Sequence, residues 1–196
     1  MNLNSYFEKA ITLNEYFEIH AKQAKNKQTS GPEQSENLIR YTKLNNSRSR
    51  RSLKTIELEQ IPEAVINKGK DLKFLIISET WCGDSAQVLP VLSKISDQLN
   101  IESKVVWRDE NLELMDAYLT NGGRSIPKLI ALTSDGKEAF TWGPRPAEAQ
   151  ELVMAYKNKP EPKESYDEFS ITLQNWYNDN AGKAIVKEIS ELILKN

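Results

Sequence analysis

An α/β fold, one central mixed sheet flanked by helices with helical extensions at both ends, is what the sequence predicts. Three observations carry that prediction. Short apolar runs alternate with helix-patterned segments across residues 60–158. Asp135-Gly136 sits between two such runs and reads as a hairpin turn. Apolar residues at helical spacing occupy both flanks, residues 1–59 and 159–196.

In chain order, residues 3–25 are expected to form one amphipathic helix, because Tyr6, Ala10, Leu13, Phe17, His20 and Ala24 recur at steps of three and four. His20 lies on that stripe and reads as a core or core-edge residue, since no neighbouring Ser or Cys offers it a proton. Residues 26–34 are polar, contain Gly31-Pro32 and read as a loop. Residues 35–58 return to a helical pattern. Between Arg40 and Lys54 six cations (Arg40, Lys43, Arg48, Arg50, Arg51, Lys54) stand without an acid. A solvated face is the expectation, and an anion site for an acidic partner or an anionic thiol is the alternative. Base stacking has little support, because only Tyr41 interleaves. Pro62 to Asn67 suits a short helix with proline in its first turn, ended at Gly69.

Lys73 to Ser78 is a buried strand by its apolar run. Val88, Leu89, Val91, Leu92, Ile95 and Leu99 give a helix over 84–99. Strands are expected over 104–107, 126–133 and 137–142, with helices over 112–119 and 146–157. Strand, helix, strand, helix, hairpin, helix fits a sheet domain with a right-handed crossover. Pro160-Glu161-Pro162 is a linker or sharp turn. Phe169, Leu173, Trp176 and Tyr177, then Ile185, Ile189 and Leu192, mark a helical extension packed on the domain.

Composition excludes several functions. Lys plus Arg is 26 against 28 Asp plus Glu, so no basic excess exists for a nucleic-acid binder. One cysteine cannot form an internal disulfide, and one histidine leaves too few ligands for a zinc cluster. Cys82 and Asp84 on one turn do not complete a metal site. No apolar run approaches the ~20 residues that cross a bilayer, and Met1 to Ala10 lacks a secretory pattern. The expected compartment is the cytoplasm.

Chemistry concentrates in Ser78-Glu79-Thr80-Trp81-Cys82-Gly83-Asp84-Ser85. A strand ends, the chain turns, and a helix begins near Cys82. The unpaired first amides of that helix and its dipole favour a thiolate, which can bring a cysteine from ~8.5 toward ~7. Ser85 can turn its hydroxyl back to the sulfur, whereas Asp84 opposes ionisation.

These residues resemble the thioredoxin family. Trp81-Cys82-Gly83 follows the first central strand, Pro90 stands where the family has a helix-kinking proline, and Arg124-Ser125-Ile126-Pro127 matches the segment ending in its cis-proline. Asp135-Gly136 matches the last hairpin, and Gly143 falls near its groove glycine. The resemblance covers about 60–158. With Thr80-Trp81-Cys82-Gly83-Asp84 and the stretch Phe140 to Pro146, the chain also resembles a single-cysteine thioredoxin-like group of bacteria, notably Bacteroidetes. The resemblance implies a thioredoxin-like fold, Cys82 and Ser85 as the reactive positions, and a groove bordered by Trp81, Gly83, Asp84, Arg124, Ile126, Pro127, Trp142 and Gly143. In the family an extended peptide pairs with the backbone beside the cis-proline.

Two departures matter. The second family cysteine is Ser85, and the buried family acid six residues before the first is Ile76. A serine cannot resolve a mixed disulfide, so dithiol turnover by one chain is excluded. What the resemblance leaves is monothiol (CxxS) exchange in redox homeostasis. An external low-molecular-weight thiol such as glutathione would be the releasing agent, and no resident cofactor is needed. A peroxide-reducing role ranks lower, because the supporting threonine and arginine cannot be identified. The alternative is a catalytically inactive thioredoxin-fold module for a peptide or protein partner. The helical ends leave room for a homodimer.

Overall fold

The computed structural model describes residues 1–196. Five strands form one mixed sheet in the order β1-β3-β2-β4-β5. They are β1 (Ile11–Thr12), β2 (Lys73–Ser78), β3 (Glu102–Trp107), β4 (Lys128–Leu132) and β5 (Glu138–Trp142). Central β2 runs parallel to β3 and antiparallel to β4, with Ile76 opposite both Val105 and Leu129. The α/β fold class is therefore as the sequence predicted. No helix is long and apolar enough to cross a membrane.

Strand alternation splits the interior in two. Phe74 and Ile76 of β2 face the larger core, which takes in Leu89, Leu92, Phe140, Ile185 and Ile189. Leu75 and Ile77 face a smaller core with Phe7, Leu114, Met115, Ile126, Ile130 and Cys82. Period-two side-chain direction makes both faces of β2 apolar, because both are covered.

The helices are α1 (Leu3–Lys9), α2 (Leu13–Asn26), α3 (Glu36–Thr55), α4 (Glu63–Gly69), α5 (Gly83–Leu99), α6 (Leu112–Asp116), α7 (Ala147–Asn158), α8 (Tyr166–Asn180) and α9 (Lys183–Lys195). The single helix expected over 3–25 is two helices separated by β1. Thr12 starts a new helix: its hydroxyl accepts from the Glu15 amide at 3.2 Å, and the Glu15 carboxylate accepts from the Thr12 amide at 2.7 Å. This reciprocal cap satisfies two amides that a continuous helix would have paired internally. The strand expected from 126 begins at Lys128, because Pro127 has no amide to give a ladder. The helix expected over 112–119 ends at Asp116.

α3 packs on α5 through a stripe without aliphatic residues. Thr42, Asn45, Ser49 and Ser52 are its buried side chains. The Ser49 hydroxyl donates to the Ala86 carbonyl of α5 at 3.2 Å. Such a stripe lets the helices approach closely while the Thr42, Asn45 and Ser49 side chains keep hydrogen-bond partners. It also turns Arg48, on the edge of the same face, toward the start of α5.

Candidate functional site

Cys82 is the N-cap residue of α5, at the end of the turn that follows β2. Its side chain is 7% exposed. The thiol donates to the Ile126 carbonyl at 3.3 Å, and the Ile126–Pro127 peptide bond is cis. The sulfur therefore lies against the loop that precedes β4.

Electrostatics at the sulfur run opposite to the sequence expectation. Burial pushes the Cys82 thiol up to about 11, and the Asp84 charge adds to the rise. The Ser85 hydroxyl, the Ser85 amide and the Arg145 charge act in the lowering direction and are outweighed. Dipoles at a helix start stabilise a thiolate only by part of a charge, whereas burial removes most of its hydration. At neutral pH Cys82 is a hydrogen-bonded thiol.

Ser85 is buried rather than open to ligand. It accepts from the Ser78 hydroxyl at 2.9 Å, which leaves its own proton free for the sulfur. Asp84 is also committed. Arg145 holds it through Nε to Oδ1 at 2.9 Å and Nη2 to Oδ2 at 2.5 Å. The Tyr177 phenol donates to Oδ1 at 3.0 Å, and burial beside this carboxylate raises the phenol well above its ordinary value.

A cavity of 740 Å³ opens beside the sulfur. Trp81, Cys82, Gly83, Asp84, Arg124 and Ile126 line it, as do Arg108 and Arg145. α3 contributes Leu38, Arg40, Tyr41, Leu44 and Arg48, and α8 contributes Tyr166, Asp167, Ser170 and Ile171. The basic segment is therefore not wholly a solvated face: Arg40 and Arg48 wall the cavity, while Lys43, Arg50 and Lys54 are exposed.

Three groove expectations need correction. Trp142 faces the other way, buried against α9, with its indole N–H donating to Glu188 Oε2 at 2.6 Å. Gly143 does not line the cavity. Its φ of +105° and the 2.4 Å from a Cβ placed there to the Pro127 carbonyl oxygen make it a backing for the proline loop. Pro127 is itself buried and meets the cavity only through its neighbours Ser125 and Ile126. Arg124 does line the cavity, with its fork on Asp116 at 2.6 and 2.8 Å.

Sequence reasoning missed Asn45, Arg108, Tyr166 and Tyr177. Asn45 donates to the Trp81 carbonyl at 2.8 Å and accepts from Arg48 Nη1 at 3.3 Å. The Arg108 guanidinium lies 4.7 Å above the Trp81 ring. A buried acid does stand near the cysteine, at Glu79 rather than at residue 76. Its Oε1 accepts from the Asp109 amide at 2.9 Å, and its Oε2 accepts from the Ser30 hydroxyl. With both oxygens occupied, it ties the 28–31 loop to the turn before Cys82.

The family model described as thioredoxin matches residues 31–159. The chain belongs to the thioredoxin family. The match takes in α3, so the wall carrying Arg40 and Arg48 lies within the thioredoxin match rather than outside it. No curated protein matches the chain. Among solved structures, an HIV epitope scaffold aligns with a TM-score of 0.51 at 16% identity, covering 78% of this chain and 86% of its own. A protein of unknown function from Pseudomonas aeruginosa aligns with a TM-score of 0.54 at 17% identity, covering 76% and 84%. At such identities the likeness speaks of the fold alone. As in other thioredoxin folds, the cysteine here opens the helix after the first central strand, but no second cysteine exists to resolve it.

Proposed function

We propose that this protein is a monothiol member of the thioredoxin family. Cys82 exchanges with a disulfide that enters the cavity, and an external low-molecular-weight thiol releases the product. The observation that supports this best is the placement of the one cysteine, at a helix start, lining a cavity and 3.3 Å from the Ile126 carbonyl. In the exchange the Cys82 sulfur bonds to one sulfur of the disulfide and the S–S bond of the disulfide breaks. The departing sulfur takes the proton. The Ser85 hydroxyl and amide stabilise charge on Cys82 as that proton leaves. A second thiol then attacks the mixed disulfide and restores Cys82. This chemistry suits a reducing cytoplasm.

The high thiol pKa favours a second reading, a thioredoxin-fold binding module in which Cys82 is a packed donor. Intact-mass analysis separates the two. Incubation with oxidised glutathione at pH 8 is expected to add one glutathione to the wild-type chain and none to Cys82→Ser. Reduced glutathione is expected to remove it. An unmodified wild-type chain under those conditions would leave the binding module as the surviving account.

A further inference from the structure

This inference rests on the monothiol reading and names its substrate class. The cavity beside Cys82 carries five arginines against two aspartates. Three of the five are neutralised locally: Arg145 on Asp84, Arg124 on Asp116, and Arg108 on Asp109 at 2.7 Å. The two supplied by α3 have no acid. Arg40 donates to the Asn37 amide oxygen at 3.2 Å and lies 5.1 Å from the centre of the Tyr41 ring, and Arg48 donates to the Asn45 amide oxygen at 3.3 Å.

Arg48 is half-buried, and the loss of hydration, together with Arg51, presses its pKa down. The carboxylate whose charge it feels, Asp84, is already held by Arg145, and an incoming anion would offset the lost hydration. Its Nη1 stands 3.9 Å from where a Cβ on Gly83 would sit, one residue from the sulfur. The rim adds apolar surface: Leu44, Tyr166 and Ile171 are 43%, 59% and 62% exposed. The Tyr41 phenol approaches Asp167 Oδ1 at 3.5 Å and joins α3 to α8 beside this space. A volume of 740 Å³ is that of a small-molecule site.

We infer that the cavity takes a small carboxylate-bearing disulfide, with Arg48 holding a carboxylate beside the reacting sulfur and Arg40 attracting it at the rim. The Cys82 thiol is oxidised to a mixed disulfide with one half of the ligand. The other half leaves as a reduced thiol and carries the proton that Cys82 gave up.

The test compares oxidised glutathione, a polycarboxylate, with bis(2-hydroxyethyl) disulfide, which is neutral, on the full chain. Rates of adduct formation are read by intact mass. Oxidised glutathione is expected to react about tenfold faster or more, the size of one charge-assisted contact. Arg48→Gln and Arg40→Gln are each expected to bring the ratio of the two rates toward one. Added salt is expected to lower the ratio. Equal rates in the wild type, or a ratio untouched by both substitutions, would overturn the inference while monothiol exchange stands. If neither disulfide reacts, the monothiol reading fails. Calorimetry of oxidised glutathione with Cys82→Ser then decides the anion site by itself. Binding weakened about tenfold by Arg48→Gln supports it, and absence of binding or indifference to Arg48 overturns it.

Discussion

Arg145 and Asp84 form a two-pronged ion pair 2.5–2.9 Å long, roofed by the Tyr177 phenol, directly beside the cysteine. The pair joins three segments: the start of α5, the turn before α7, and α8. Both side chains are largely buried, so neither charge can fall back on water. Arg145→Met would strand Asp84 and is expected to cost about 3–5 kcal/mol in urea unfolding. The double replacement with Asp84→Asn is expected to recover part of that loss. If the single and double variants unfold alike, the pair is not what holds these segments together.

The same carboxylate adds to the rise that burial imposes on the thiol. Asp84→Asn removes a like charge from beside the sulfur and frees the positive Arg145 field, and both changes favour the thiolate. The Cys82 pKa is therefore expected to fall from about 11, read from thiolate absorbance or from iodoacetamide rate against pH. A pKa unmoved by the substitution would mean that burial alone governs it.

Linkage gives the thiol a stability signature. Its folded-state pKa lies above the unfolded value of ~8.5, so the unfolded chain releases the proton first as pH rises. The stabilisation is complete below the unfolded value and fades as pH climbs toward about 11. Cys82→Ser is expected to flatten the alkaline decline in melting temperature between pH 8 and 10, and an unchanged slope would assign that decline to other groups.

Gly143 supports the proline loop by having no side chain. Alanine there would need φ near +105° and a Cβ 2.4 Å from the Pro127 carbonyl oxygen. Strain of this kind costs on the order of 1–3 kcal/mol, with the overlap added. Gly143→Ala is expected to lower stability by at least that much and to slow adduct formation at Cys82, because the Ile126 carbonyl moves with the loop. A variant as stable as the wild type would show that the loop shifts freely.

Much of the sheet was legible in the sequence because β2, β3, β4 and the Asp135-Gly136 hairpin carry their signals locally, in apolar runs and turn residues. The motif around Cys82 was legible for the same reason. The buried stripe of α3 was not, since hydrophobic periodicity cannot register Thr42, Asn45, Ser49 and Ser52. The direction of the Cys82 shift was also hidden. Helix-start dipoles can be read from sequence, but the burial that outweighs them comes with a core shared with Leu114, Met115 and Ile126, residues distant along the chain. The break after α1 did have a local sign, Thr12 three residues before Glu15, which the longer helical stripe obscured.

Asn45 is where the unseen stripe meets the site, and it yields a prediction that separates position from stability. It has no exposed surface, donates to Trp81 O and steadies Arg48. Asn45→Ala would leave the Trp81 carbonyl without its partner, a loss of about 1–3 kcal/mol. It would also loosen the guanidinium that walls the cavity. Preference for an anionic over a neutral disulfide is therefore expected to decline in this variant at temperatures where it remains folded. Loss of stability with the preference intact would restrict Asn45 to holding the turn.

The lone histidine provides a clean pH probe of the α2–α3 contact. His20 is 1% exposed, its Nε2 lies 3.0 Å from the Thr42 carbonyl, and its Nδ1 has no protein partner. Burial brings its pKa down to about 4, below the unfolded value of ~6.5. A depressed histidine stabilises the fold above the unfolded value, and that contribution is lost as pH falls toward about 4, because the unfolded chain takes up the proton first. The single imidazole Hε1 resonance is expected to stay at its neutral shift from pH 8 to 5 while stability declines below about 6.5. A resonance that titrates near 6.5 would mean that α3 opens and lets water reach the ring.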